Sequence, residues 1–303
     1  MKHRAIAWLL SIVLLCCALF GGCSAPTEDL AHAKNDYPLT VNGVTLETAP
    51  AKVVVLSPAL ADIVLALGSS YELKLTGRGA DCTQKALDSL PACGTVEKPN
   101  ATAIFTCRAD LVLTNRELPE ETAQQLKKEG VTTIVLPVAT DRTTLQANFE
   151  KVGAILAGAK LGYARAKNQV EGILMDLDDI TRTIPEVDRS VRVAFLLDEK
   201  GTMVPRDSLG GLLMECAGGI NIAPASDEAP LTEAQLRLAD PQIFFCPEGC
   251  KEAIQSAAIY QSLNVTVVEL PRTYMEWQGN TVVEATLAMA KVMHPEYLSD
   301  GKK

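Results

Sequence analysis

The sequence predicts an α/β protein of two Rossmann-like βα lobes joined by one long connector helix. Three observations carry this. Short apolar runs such as Val53-Val54-Val55-Leu56, bounded by turn residues, have the unbroken hydrophobicity of strands buried on both faces of a parallel sheet. Residues 144–184 then keep a helical apolar period with no strong breaker (Phe149, Val152, Leu156, Leu161, Val170, Ile173, Leu177, Ile180). At ~1.5 Å per residue an unbroken helix of that length would reach roughly 60 Å, with Gly158 and Gly162 the points where it would kink. Finally, the two halves echo each other. Ala109-Asp110-Leu111-Val112-Leu113 leads through a helix to Ile134-Val135-Leu136-Pro137, as Ala239-Asp240-Pro241-Gln242-Ile243-Phe244 leads to Val267-Val268-Glu269-Leu270-Pro271.

The elements follow in order. Lys2 and Arg4 precede an apolar run over residues 5–20, which is an export signal too short for the ~20 residues of a membrane span. Gly21-Gly22-Cys23 then resembles a bacterial lipobox, with Phe20 where leucine is usual and Leu19 one place earlier. Two readings stand: a lipoprotein signal peptide over 1–22 with Cys23 lipidated, or an ordinary cleaved signal. Residues 23–36 are polar and form a lipid-anchored flexible tether. The N-terminal α/β lobe spans 37–143. It opens with a hairpin turning at Asn42-Gly43, whose residues accept positive φ. Ser57-Pro58 caps and starts a helix ended by Gly68, and strands follow over 110–113 and 132–136 with a helix over 118–128 between them. The connector helix takes 144–185. In the C-terminal lobe, 186–303, strands are expected over 191–197, 242–245 and 265–270. Its helices fall over 207–216, 232–238, beyond 250 to about 258, and over 281–293.

Composition narrows the function. With 48% hydrophobic and 21% charged residues among 303, the chain is globular. Its formal net charge of −9 becomes more negative once Lys2 and Arg4 leave, which argues against nucleic acid or an anionic membrane surface as partner. The three histidines (His3, His32, His294) cannot form a central cluster, which argues against a histidine metal site and against a Ser-His-Asp or Cys-His catalytic centre. Six cysteines remain after the leader: Cys82, Cys93, Cys107, Cys216, Cys246 and Cys250. In an oxidising compartment the local pairs Cys82 with Cys93 and Cys246 with Cys250 are possible disulfides, with buried free thiols the alternative. The segment Cys246-Pro247-Glu248-Gly249-Cys250 lacks zinc-knuckle spacing, and a soft-metal role is the least favoured of its readings.

At residues 52–68 the text KVVVLSPALADIVLALG resembles the opening strand and helix of the helical-backbone (class III) periplasmic substrate-binding proteins of ABC importers. The similarity continues through Asp81-Cys82, Leu90-Pro91, Gly94, Pro99-Asn100 and 109–113, resumes at LLMECAGGINIA (212–223), and closes with Leu270-Pro271, Trp277 and the last helix. No single motif is diagnostic, but the ordered series covers nearly the whole exported chain. The resemblance implies capture of a ferric siderophore, haem or cobalamin between two lobes and delivery to a permease with its ATPase. No reaction, cofactor or resident metal is implied, only small closure about a stiff connector. The protein would be exported and lipid-anchored on the outer face of the cell membrane, or periplasmic. In such proteins a glutamate on each lobe docks to the permease. Glu276 fits on the second lobe, but Thr102 stands at the first-lobe place, with Glu97 nearby. A sensor or adhesion lipoprotein on the same fold is the second reading, and an enzyme with a nitrogenase-like fold the third.

Polar and aromatic residues beyond strand C-termini are the candidates to touch a ligand. They are Ser57, Arg78, Asp81, Asn115 and Arg116 in the first lobe, and Lys200, Arg206, Glu248, Arg272, Tyr274 and Trp277 in the second. Four arginines in an acidic protein suit carboxylate, phosphate or catecholate oxygens, although each also reads as a solvated surface charge. Tyr274 and Trp277 suit stacking on a macrocycle or packing at the lobe edge.

Overall fold

The computed structural model describes residues 36–298. The expected signal peptide, Cys23 and all of the expected tether but Asp36 lie outside the described residues. A hairpin comes first, β1 (Leu39–Val41) and β2 (Val44–Leu46), paired antiparallel with Val41 opposite Val44. Its turn takes φ 49° at Asn42 and 81° at Gly43, as the sequence predicts. Asn42 donates from Nδ2 to the Val135 carbonyl (2.8 Å), which pins the hairpin beside the first lobe.

That lobe is a four-stranded parallel sheet of β3 (Val53–Val55), β4 (Leu75–Arg78), β5 (Leu111–Thr114) and β6 (Thr132–Val135) in the order β4-β3-β5-β6. Between the strands lie α1 (Pro58–Ala66), α2 (Ser69–Glu72), α3 (Ala101–Thr106) and α4 (Glu120–Lys128). Every residue of β3 and β5 is buried, the burial a central parallel strand requires.

The second lobe holds β7 (Val191–Phe195), β8 (Gly219–Asn221), β9 (Ile243–Pro247) and β10 (Thr266–Leu270) in the order β8-β7-β9-β10, again all parallel. In both lobes the first strand lies between the second and the third, and the fourth lies outside the third. The repeat seen at Asp110 and Asp240 is therefore a repeat of topology. The structural match is shifted by two positions from the sequence echo: Asp110 accepts from the Ala51 and Lys52 amides, and Gln242 rather than Asp240 takes the equivalent place, accepting from the Arg192 amide (2.9 Å).

The strands β4 and β8 are absent from the sequence reading. Each is an edge strand, β8 is only three residues long, and both carry a glycine where apolar periodicity would be read.

The segment at 144–184 departs from a single rod. It forms α5 (Arg142–Ala157), a π-helical turn (Gly158–Gly162) and α6 (Tyr163–Thr183). Gly158 sits at φ 97°, which ends α5 and reverses the chain. The two helices pack antiparallel. Gly153 lies against Gly162 and Ala166 at the turn, and Arg142 Nη1 reaches Asp178 Oδ1 (2.8 Å) at the open end. The true connector is α6, about 31 Å long at 1.5 Å per residue. It packs on α7 (Leu209–Cys216) and α11 (Thr281–Met293) of the second lobe, while α5 packs on α1 of the first. The remaining helices of that lobe are α8 (Glu233–Ala239), α9 (Lys251–Ser256), α10 (Ala258–Gln261) and α12 (Pro295–Leu298).

A single apolar core results. It runs from Val53, Leu60 and Leu111 through Phe149, Val170 and Leu177 to Phe195, Leu213 and Met289. Each lobe adds a separate cluster on the outer face of its sheet.

The close crossing sets an expectation for two glycines. A Cβ on Gly153 would collide with Ala166 and with the Gly162 carbonyl, whereas one on the exposed Gly172 of α6 meets nothing within 4 Å. In urea denaturation Gly153→Ala is expected to lower stability by about 1–3 kcal/mol. Gly172→Ala should raise it by about 0.5–1 kcal/mol.

Candidate functional site

Loops beyond the strand C-termini of both lobes face one another across a cleft of about 410 Å³. The first lobe supplies Ser57 to Ala59 after β3, Asp81 after β4, Asn115 and Arg116 after β5, and residues 138–140 after β6. The second supplies Leu197 after β7, the start of α7 at Ser208 to Gly210, and Arg272, Met275, Glu276 and Gln278 after β10. Ser57 and Ser208 are the N-caps of α1 and α7, accepting from Leu60 N (3.4 Å) and Gly211 N (3.2 Å).

The cleft carries one ion pair on each lobe. Arg116 Nη1 lies 3.0 Å from Glu97 Oε1, and Arg272 Nε lies 2.7 Å from Glu276 Oε1. Arg272 also donates from Nη1 to the Leu197 carbonyl (3.4 Å). The Asp81 carboxyl, at the rim, is pushed above the usual carboxylate range by partial desolvation, reinforced by the charges of Glu97 and Glu276 and opposed by its own backbone amide. Asn115 keeps its Oδ1 buried with no hydrogen-bond partner.

Next to the cleft, a buried polar latch joins the lobes. Gln278 accepts from Ala139 N (2.8 Å) and donates to Ala139 O (2.9 Å). Asp62, on α1, accepts the Gly279 amide (2.5 Å) and is hydrogen-bonded by Thr281 at the first turn of α11. A first-lobe carboxylate therefore sits at a second-lobe helix N-terminus, where dipole and free amides favour negative charge. Burial nonetheless dominates and raises the Asp62 carboxyl, with the amide and Thr281 bonds opposing and Glu284 adding slightly.

The structure brings Ser57, Asp81, Asn115, Arg116, Arg272 and Glu276 together, and it places the other candidates elsewhere. Arg78 turns inward and donates to the Leu87, Gly79 and Cys82 carbonyls, bracing the loop after β4. Arg206 pairs with Glu228 (2.6 Å) beside a separate second-lobe pocket that Lys200 lines. Glu248 is exposed outside the cleft lining, Tyr274 packs half-buried against the core, and Trp277 is half-buried with its Nε1 unpartnered. The anticipated cysteine pairs are unbonded. All six cysteines among the described residues are free thiols, and Cys93 Sγ faces Cys107 Sγ rather than Cys82.

Asp62 and Gln278 are absent from the sequence reading. A signal was present for the first, since Asp62 is the one charge in the apolar helix PALADIVLA.

The family model for periplasmic binding proteins matches residues 53–249, and the chain belongs to that family. It is 26% identical to a cobalamin-binding protein of Halobacterium salinarum, over 96% of this chain and 85% of that one. It is 21% identical to YvrC of Bacillus subtilis, described as an uncharacterized ABC transporter substrate-binding lipoprotein, over 98% of this chain and 99% of that one. A periplasmic heme-binding protein from Pseudomonas aeruginosa superposes with a TM-score of 0.66 at 19% identity, covering 82% of this chain and 94% of its own.

The latch gives a pH signature. A raised folded-state pKa means the folded chain binds the Asp62 proton more tightly than the unfolded chain does, so this carboxyl favours folding as pH falls. Between neutrality and about pH 4, the melting temperature of the wild type should climb relative to Asp62→Asn. Parallel curves in a thermal-shift pH series would contradict this account of the buried carboxyl.

Proposed function

We propose that this chain is the substrate-binding lipoprotein of an ABC importer, taking a metal chelate or macrocycle (ferric siderophore, haem or cobalamin) between its lobes and passing it to the permease. The observation that carries the reading is the cleft itself. Two copies of one βα topology face each other across their strand C-termini, so a bound molecule meets side chains from both lobes at once. Family membership and the relatives' printed descriptions support it.

The chain's own residues bind and orient, and no bond is made or broken. The cleft lining contains carboxylates, guanidinium groups, amides and hydroxyls, the few polar groups that orient a captured molecule. The shared core and the 278–281 latch keep closure small. Glu97 and Glu276 present partly exposed carboxylates on the two lobes and suit docking to cations of the permease. Cys23 would carry the lipid and hold the protein near that permease at high effective concentration.

Two measurements test this reading. Thermal-shift titration with cyanocobalamin, haemin and ferric siderophores should find at least one ligand that stabilises the protein by about 2.7 kcal/mol at a hundredfold excess over its Kd. Failure of the whole panel removes this class of cargo. Cys23→Ala should move the protein from the membrane to the soluble exported fraction, and retention at the membrane would refute the anchor.

A further inference from the structure

Resting on that reading, we infer that the interlobe cleft accepts an uncharged or cationic cargo and excludes polyanionic chelates. The charged side chains lining it are Asp81, Glu97 and Glu276 against Arg116 and Arg272, which leaves one formal negative charge. Each guanidinium already faces a carboxylate of its own lobe, at 3.0 Å and 2.7 Å. Half-exposed pairs of this kind are weak, so a ligand can part them. Parting them leaves the charge count unchanged and frees two glutamates near Asp81, one on its own lobe and one on the other.

A trianionic chelate would therefore meet three carboxylates for two guanidinium groups, on a chain of formal net charge −9. The two other arginines proposed from sequence cannot shift this balance. Arg78 is taken up by three backbone carbonyls and Arg206 by Glu228.

What the cleft does offer is uncharged polar lining. Asn115, Thr140 and Ser208 stand among its charged residues and suit the amides or hydroxyls of a cargo. The aliphatic surface of Val138, Leu197, Val204 and Met275 completes a site for a neutral amide-bearing macrocycle or a cationic hydroxamate complex.

Isothermal titration with three probes decides the question: neutral cyanocobalamin, a ferric linear trihydroxamate of charge +1 and a ferric tris-catecholate of charge −3. The neutral or cationic probe should bind at least tenfold more tightly than the tris-catecholate, with the gap widening at low salt. Tris-catecholate binding as tight or tighter overturns the charge inference and leaves the transport reading intact. Binding of none overturns the charge inference, and failure of haemin as well overturns the transport reading. The double variant Glu97→Gln with Glu276→Gln should gain tenfold or more for the trianion, and an unchanged preference in the folded variant counts against the inference. Should the variant fail to fold, the salt dependence of the wild type decides.

A separate observation carries a second inference. The geometry points to a Cys93–Cys107 disulfide in the exported protein. The two sulfurs lie 3.7 Å apart, across 14 positions of sequence. Gly77 of β4 leaves the room, since a Cβ there would stand 2.8 and 2.9 Å from them. Bonding would close the segment that carries Val96 and Glu97 to the cleft and contains α3.

The chemistry balances with a disulfide oxidant such as oxidised glutathione. The two thiols give up two protons and two electrons to form one S–S bond, and the oxidant becomes two glutathione thiols. Mass spectrometry of the exported protein, alkylated without reductant, should find the Cys93–Cys107 linked peptide. Reduction should lower the melting temperature by several degrees in the wild type and not in Cys93→Ser/Cys107→Ser. Free alkylated Cys93 and Cys107, or a Cys82–Cys93 link, would overturn this pairing. If the double variant does not fold, the peptide map alone decides.

Discussion

Two parallel sheets, each apolar on both faces, must be covered on both sides, and here one helical layer covers the inner face of both. The α5/α6 hairpin packs on α1 to one side and on α7 and α11 to the other, merging the two inner faces into one core. Everything else in the molecule is arranged around that constraint. The outer faces are closed by local helices, the strand C-termini are left facing each other, and the loops that carry polar side chains fall on the shared opening. The latch at 278–281 adds a polar complement to the same joint. Its buried carboxylate tolerates the low-dielectric setting because the Gly279 amide and Thr281 at a helix N-terminus satisfy it.

The fold was readable because its signals are local. Continuous apolar strands, the Ser57 cap, the Asn42-Gly43 turn and the echo around Asp110 and Asp240 each need only a short window, and the structure holds them nearly where the pattern placed them. The reversal at Gly158 was the main loss. A periodic apolar stripe reads the same in one long helix as in two helices folded back, and only the positive φ at Gly158 separates them. Edge strands β4 and β8 were lost for the opposite reason, being too short and too glycine-containing to build a period.

The site was half legible. Ser57, Asp81, Asn115, Arg116, Arg272 and Glu276 follow from one rule about strand C-termini, and they do meet. Arg78 satisfies the same rule but points inward, because backbone carbonyls of its own loop were available to its guanidinium. Arg206 found Glu228, 22 positions away, and Arg116 found Glu97, 19 positions away. Such pairings depend on loop paths that carry no periodicity, so the sequence displays the arginines of the cleft without the acids that face them. Asp62 is the complementary case, a lone charge on an apolar helix whose purpose appears only when the other lobe is in place.

The latch has a kinetic consequence. A binder whose halves swing widely must wait for the right arrangement before it can hold anything, and its on-rate carries that waiting time. With its lobes joined by a common core and by Gln278 and Asp62, this chain presents a cleft that exists before any encounter. Capture then proceeds at the pace of collision and shedding of water from the rim. Selectivity is left to the dwell time, which the few side chains at the opening control.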